Sequence, residues 1–229
     1  MRVKLVFPVL LTVVVSLAAG PATQPAYLAP DNFDFKALLG EPPADGSPTQ
    51  AREIDTLLQL QANRTPAEEA RCKEEVDASA FVFADVLGNW FDAKDLPATA
   101  ALLKEVTQQA KVVSGAAKAQ WNRQRPFLAD ARIKPCIEIE KTASYPSGHA
   151  TRGVLWAIIL SEIFPEHKDQ IMARGRLIGE DRLIAGMHYP SDVEAGQKLG
   201  EEIAKKLLDN PDFQIRLKQA KDECRAAGH

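Results

Sequence analysis

The sequence predicts an all-α protein, a single-domain helical bundle with short connections. Three observations carry that prediction. From about residue 46 onward, almost every segment repeats its apolar residues at helical spacing. Helix-start signals open two of these segments: Thr65 with Glu68 and Pro66 just inside, and Ser191 with Glu194 beside Pro190. Alternating β-type runs are scarce, and the best of them, IKPCIEIEK, is too isolated to build a sheet. The 229 residues suffice for one sizeable core and are few for two ordinary domains. No repeat of fixed period is present.

Residues 1–22 read as a signal peptide. MRVK supplies two positive charges, LVFPVLLTVVVSLAAG an apolar stretch, and small residues follow, which places cleavage at about residues 18–22. Pro8 and the small-residue end argue against the alternative, an uncleaved membrane anchor. The product is then periplasmic or secreted, and loss of Arg2 and Lys4 takes its formal charge from −3 to −5. No later stretch matches a membrane span, since GVLWAIIL has only core-helix length. Residues 23–45, rich in Pro and Asp and without periodicity, predict an extended N-terminal arm; residues 46–229 form the bundle.

The helices follow in order. AREIDTLLQLQ carries leucines at helical spacing, and TPAEEARCKEEVDASAFVFADVL opens on a capping box of Thr65 and Glu68 with Pro66 inside. LPATAALLKEVTQQAKVVSGAAKAQWN is a long amphipathic run with a break predicted at Ser114-Gly115. GVLWAIILSEIF is apolar on every face and predicts the most buried helix. HKDQIMARGRLIGEDRLIAG, VEAGQKLGEEIAKKLL and PDFQIRLKQAKDECRAAG complete the bundle.

Composition narrows the function. Hydrophobic residues make up 45% and charged residues 26%, the balance of a folded globular protein. A net charge of −3 gives no electrostatic case for nucleic acid or an anionic membrane, so an anionic substrate needs a local cation cluster. Three cysteines, Cys72, Cys136 and Cys224, allow one disulfide without selecting the pair, and none has metal-site spacing.

Four histidines are present. His167 lies in the polar stretch FPEHKD and His229 ends the chain, which predicts a surface residue and a frayed terminus. His188 lies in DRLIAGMHYPSDVE, a tight turn between two helices. Gly186 is placed to end the first helix, and Ser191 with Glu194 reads as the capping box of the second. Asp192, in the first turn of that second helix, is placed to hold one ring nitrogen of His188 and leave the other as a lone-pair donor. Such an imidazole can be a nucleophile, a base or a metal ligand. Equally, Asp192 could only cap a helix and His188 only fill a turn.

His149 lies in ASYPSGHAT, in the first turn of the most buried helix. Ser147 is the N-cap candidate, and Gly148 removes the side chain that would bar close approach, so the turn can receive an anion. An ordinary capped helix reads the same way. Upstream, in KAQWNRQRPF, Lys118 and Arg125 stand seven apart, which predicts one shared helix face with Pro126 ending the helix after Arg125. A solvated basic face is the usual reading of such a pair. Taken together with Arg182, the three segments supply two histidines, a carboxylate and three cations, a set suited to a tetrahedral dianion.

The pattern Lys-x6-Arg-Pro, then Pro-Ser-Gly-His, then Arg-x5-His-x3-Asp resembles the type 2 phosphatidic acid phosphatase superfamily. Within it, the leader, YLAPDNFDFKALLGEPP, FVFADVLG and the chain length resemble bacterial class A non-specific acid phosphatases. The resemblance implies the helical bundle of the acid phosphatase and vanadium haloperoxidase type, and hydrolysis of small phosphate monoesters. It implies that His188 attacks phosphorus to form a phosphohistidine, that Asp192 orients it, and that His149 protonates the leaving oxygen and then activates water. Lys118, Arg125, Ser147, Gly148 and Arg182 would hold the phosphoryl oxygens. No metal or cofactor is implied, and a homo-oligomer is left open. The alternatives are a vanadate-dependent haloperoxidase, a soluble lipid or pyrophosphate phosphatase, and an inactive phosphate-binding protein. One position departs from the pattern: Asp181 stands where the family usually has serine, either orienting Arg182 or weakening its hold on an anion.

Overall fold

The computed structural model describes residues 27–228; the segment read as a signal peptide and His229 lie outside them. Among the described residues there are ten α-helices and no strand. They are α1 Phe35–Leu39, α2 Pro48–Asn63, α3 Pro66–Glu74, α4 Ala84–Leu87, α5 Pro97–Trp121, α6 Pro126–Ala129, α7 Gly148–Ile163, α8 Lys168–Ile184, α9 Pro190–Leu208 and α10 Pro211–Ala226. No described helix is long and apolar enough to cross a membrane.

Helix α7 is the centre of the bundle, as its sequence requires. Val154, Leu155, Trp156, Ala157, Ile159 and Leu160 are all buried, and the helix packs against α5, α8 and α9. Close packing depends on small residues at the crossings. A side-chain carbon at Gly153 would lie 2.5 Å from the Gly175 carbonyl oxygen of α8, and one at Gly196 of α9 would lie 2.4 Å from that of Ser147. Backbones this close leave no room for a Cβ, so glycine sets the interhelical distance.

Several local expectations are corrected. Helix α5 runs unbroken through Ser114 and Gly115, because Leu102, Val106, Ala110, Val113 and Ala117 bury one continuous stripe that outweighs local propensity. The helix ends at Trp121, with Asn122 in the left-handed region at φ 48° as its C-cap. Pro126 therefore begins α6 rather than ending α5, and Arg125 lies outside the helix that carries Lys118. The segment after Thr65 keeps its capping box but stops at Glu74; a 3-10 turn at Ala80–Phe83 and α4 follow. Helix α9 is capped by Asp192, whose Oδ2 accepts from the Tyr189 N–H at 2.9 Å, and not by Ser191 and Glu194.

Residues 27–45 are not featureless. A 3-10 turn at Pro30–Asn32 and α1 lay Leu28, Phe33, Phe35 and Leu39 into the core. Tyr145, just before the Pro-Ser-Gly-His turn, donates its hydroxyl to the Leu39 carbonyl at 2.8 Å. Trp121 packs edge-on to the same ring at 5.0 Å and donates to Glu41 at 2.6 Å. The three thiols are free; Cys72 and Cys224 are buried and Cys136 is partly so. His167 is on the surface, its side chain 43% exposed.

Candidate active site

The turn between α8 and α9 sets the first histidine. Gly186 takes φ 73°, and its N–H and that of Met187 return to the Leu183 and Arg182 carbonyls, so the chain reverses within a few residues. His188 emerges fully buried. Its Nδ1 lies 3.3 Å from Asp192 Oδ2, and its Nε2 lies 3.0 Å from Arg125 Nη1. A guanidinium can only donate, so this network places the proton on Nδ1 and the lone pair on Nε2. Burial lowers the His188 pKa to about 4, with Arg125 acting in the same direction. The ring is therefore neutral above about pH 4.

Asp192 is held from every side. Ser144 Oγ donates to Oδ2 at 2.5 Å, and Arg123 Nη1 donates to Oδ1 at 2.7 Å. Burial raises the carboxyl's pKa, but His188 and Arg123 outweigh it and bring it to about 2. Arg123 also bonds Glu53 of α2 at 2.9 Å and Ser191 at 2.8 Å, and its guanidinium lies 3.9 Å over the Tyr189 ring. Sequence reasoning missed Arg123, Ser144 and Glu53. The first two lie within the quoted motifs, whereas nothing in α2 marks Glu53.

The Pro-Ser-Gly-His turn sits beside this pair. Ser147 is fully buried and caps α7, its Oγ accepting from the Ala150 N–H at 3.3 Å, and its own N–H donates to the Asp192 carbonyl at 2.8 Å. Gly148 opens the helix, with the nearest atom to a built Cβ being Ser114 Oγ at 3.7 Å. His149 turns its Nε2 to the Val76 carbonyl at 3.2 Å and its Nδ1 toward Glu140 Oε1 at 3.7 Å. Burial pushes its pKa well below the ordinary value, and Arg152, Arg182 and His188 push the same way.

The cations come from different elements, Lys118 from α5, Arg125 from the turn before α6 and Arg182 from α8. Lys118 donates its ammonium to the Ala143 carbonyl, and burial together with Arg125 lowers its pKa to about 8. Arg125, 2% exposed, bonds Thr142 and Met187 carbonyls at 3.0 Å and Glu140 at 2.6 Å. Arg182 is fully buried: one Nη bonds the Cys72 carbonyl at 3.0 Å and Glu75 at 3.3 Å. Among the described residues its Nε and other Nη have no partner, so two buried nitrogens can still donate to an acceptor. Asp181 does not orient it; the carboxylate turns to Arg71 in a two-pronged pair at 2.6 and 2.7 Å. Glu75 and Glu140 were also missed, since acidic residues in an anion site run against expectation.

Such an arrangement can stabilise a tetrahedral anion beside a neutral imidazole lone pair. A profile of the PAP2 superfamily matches residues 98–205, which hold Lys118, Arg125, Ser147, Gly148, His149, Arg182, His188 and Asp192. The all-α bundle and that match define the class, a helical phosphatase. The chain is 34% identical over 200 residues to a non-specific acid phosphatase of Providencia stuartii, covering 83% of this chain and 81% of that one. It is 33% identical over 198 residues to an acid phosphatase of Zymomonas mobilis subsp. mobilis, covering 82% and 75%. The chain belongs to the bacterial non-specific acid phosphatases of the PAP2 superfamily. A transmembrane PAP2-type phosphatidylglycerolphosphate phosphatase from Bacillus subtilis shares the fold, with a TM-score of 0.53 at 19% identity over 75% of this chain and 89% of that one.

Proposed function

We propose that the protein is an exported acid phosphatase that hydrolyses small phosphate monoesters through a phosphohistidine, without a metal. The observation that carries this reading is the His188 ring, clamped through Nδ1 by Asp192, with a neutral Nε2 turned to Arg125 and the charge of Lys118 acting on it. Nε2 attacks phosphorus as the bond to the leaving oxygen breaks, and His149 gives that oxygen its proton. His149 then takes a proton from water, whose oxygen displaces phosphate from His188. Lys118, Arg125 and Arg182, with the Ser147-Gly148 turn, hold the nonbridging oxygens.

This reading needs His149 charged in the first step, whereas the protein's own groups push it toward neutrality. The substrate's phosphoryl dianion, seated between Arg182 and the ring, supplies the opposing charge. Metal independence belongs to this proposal and is what dialysis against EDTA tests. Export rests on the leader at residues 1–22.

The test uses mature protein dialysed against EDTA and p-nitrophenyl phosphate at acidic pH. Turnover with a phosphoryl group trapped on the protein, and lost in His188→Ala, supports the reading. No turnover across a pH series sinks it. Peroxide-dependent halide oxidation on adding vanadate would favour the haloperoxidase instead.

A further inference from the structure

Glu140 is a carboxylate inside a site built for an anion. It sits on the irregular stretch between α6 and α7, part of no helix, its side chain 32% exposed. One oxygen accepts from Arg125 Nη2 at 2.6 Å, and the other lies 3.7 Å from His149 Nδ1. Arg125 is otherwise tied to backbone carbonyls, the Thr142 hydroxyl and the His188 ring, so Glu140 is its carboxylate partner. In the reaction proposed above, Arg125 holds a nonbridging oxygen and His149 faces the leaving oxygen. The two oxygens of Glu140 take both contacts at once.

We propose that Glu140 is a built-in counter-anion, which the substrate's phosphoryl group must displace from Arg125, and that it thereby sets the site's affinity for phosphate. Burial opposes its charge, yet Arg125, His188 and Lys118 keep its carboxyl below the usual range. The other groups acting with it, His149 and Arg152, lie on α7. Glu140 is therefore charged through the working pH range, and its competition is constant rather than switched. The bond it makes is a short charge-assisted one, but its carboxylate is open to water on one side and can swing out. A weak-binding anion site also releases inorganic phosphate readily, which suits a hydrolase whose product resembles its substrate.

This inference rests on the phosphatase reading, and one experiment separates the two failures. Inhibition by inorganic phosphate and by vanadate is measured, with KM for p-nitrophenyl phosphate, in the unaltered protein, Glu140→Gln and Glu140→Asp. Glutamine keeps the shape and removes the charge; aspartate keeps the charge but cannot span both partners. The expected result is about tenfold tighter inhibition in Glu140→Gln, the low end for a charge-assisted hydrogen bond at a half-open site, with KM lowered in parallel. Glu140→Asp should fall between, and carries the test if the glutamine variant does not fold. Unchanged or weaker inhibition in both variants overturns the proposal. So does a loss of kcat with KM unmoved, which would make Glu140 a group that positions His149. No turnover by the unaltered protein would instead refute the phosphatase reading.

Discussion

Gly196→Ala tests how the bundle fixes the site. The added methyl would stand 2.4 Å from the Ser147 carbonyl oxygen and 2.9 Å from Ala150 Cβ, where ordinary contact begins at 3.4 Å. Both obstacles belong to the N-cap and first turn of α7, one of them backbone, so α9 must retreat by about 1 Å. Overpacking of this kind costs about 1–3 kcal/mol, and at this chain length each kcal/mol lowers the melting midpoint by about 2–4 °C. The retreat also separates partners across the site. Asp192 rides on α9, receives the Ser147 N–H at 2.8 Å and clamps His188. A misplacement of about 1 Å at a reacting group can lower the rate about 100-fold. Calorimetry and kcat/KM on p-nitrophenyl phosphate together measure this. A melting midpoint within 1–2 °C of the unaltered protein, with kcat/KM intact, would refute the argument that this glycine sets the distance between the clamp and the turn.

Other outcomes follow from the same geometry. Arg123→Ala strips Asp192 and Glu53 of a buried cation and should cost about 3–5 kcal/mol in denaturant unfolding, with kcat falling as the clamp loosens. The pH profile of kcat/KM should fall on the acid side near pH 4, where His188 takes a proton, and on the basic side as His149 loses its own, which its lowered pKa brings well before Lys118 titrates near pH 8. Stability should share the acid limb. The folded His188 pKa is depressed, so the unfolded chain binds its proton first, and stability held above pH 6.5 is lost as pH falls toward 4. Asp192 adds a loss from 3.8 toward 2, so melting midpoints measured from neutral pH downward should decline in that order. Asp181→Ser should lower the melting midpoint by freeing Arg71, with KM changed less than about twofold; a larger KM change would mean that Asp181 acts on the phosphate site after all.

How much was legible depends on whether a feature is local. The capping box at Thr65, the Ser147 cap and the left-handed Gly186 are decided by a few adjacent residues, and the chain adopts all three. The end of α5 was misread because proline marks where a helix cannot continue, not where it stops. Asn122 stops it four residues earlier. Lys118 and Arg125 still reach one site, but by a turn and not by a shared helix face. The N-terminal stretch looked featureless because α1 is short, and its apolar residues gain their burial from the bundle rather than from one another.

By itself, the sequence determined the all-α class and the buried apolar helix at the centre, and it singled out two histidines, a carboxylate and three cations as candidates, since periodicity and short motifs are written in neighbouring residues. Only the tertiary structure decided which partners those groups have. Arg123 reaches Asp192 across 69 positions, Arg71 reaches Asp181 across 110, and Arg182 reaches the Cys72 carbonyl across 110. It also set a carboxylate, Glu140, against Arg125, and paired Asp181 with Arg71 rather than with its neighbour Arg182. Burial makes these pairings matter, because each charge removed from water must find a partner or change its pKa. Burial belongs to the packed bundle and to no single segment of the chain.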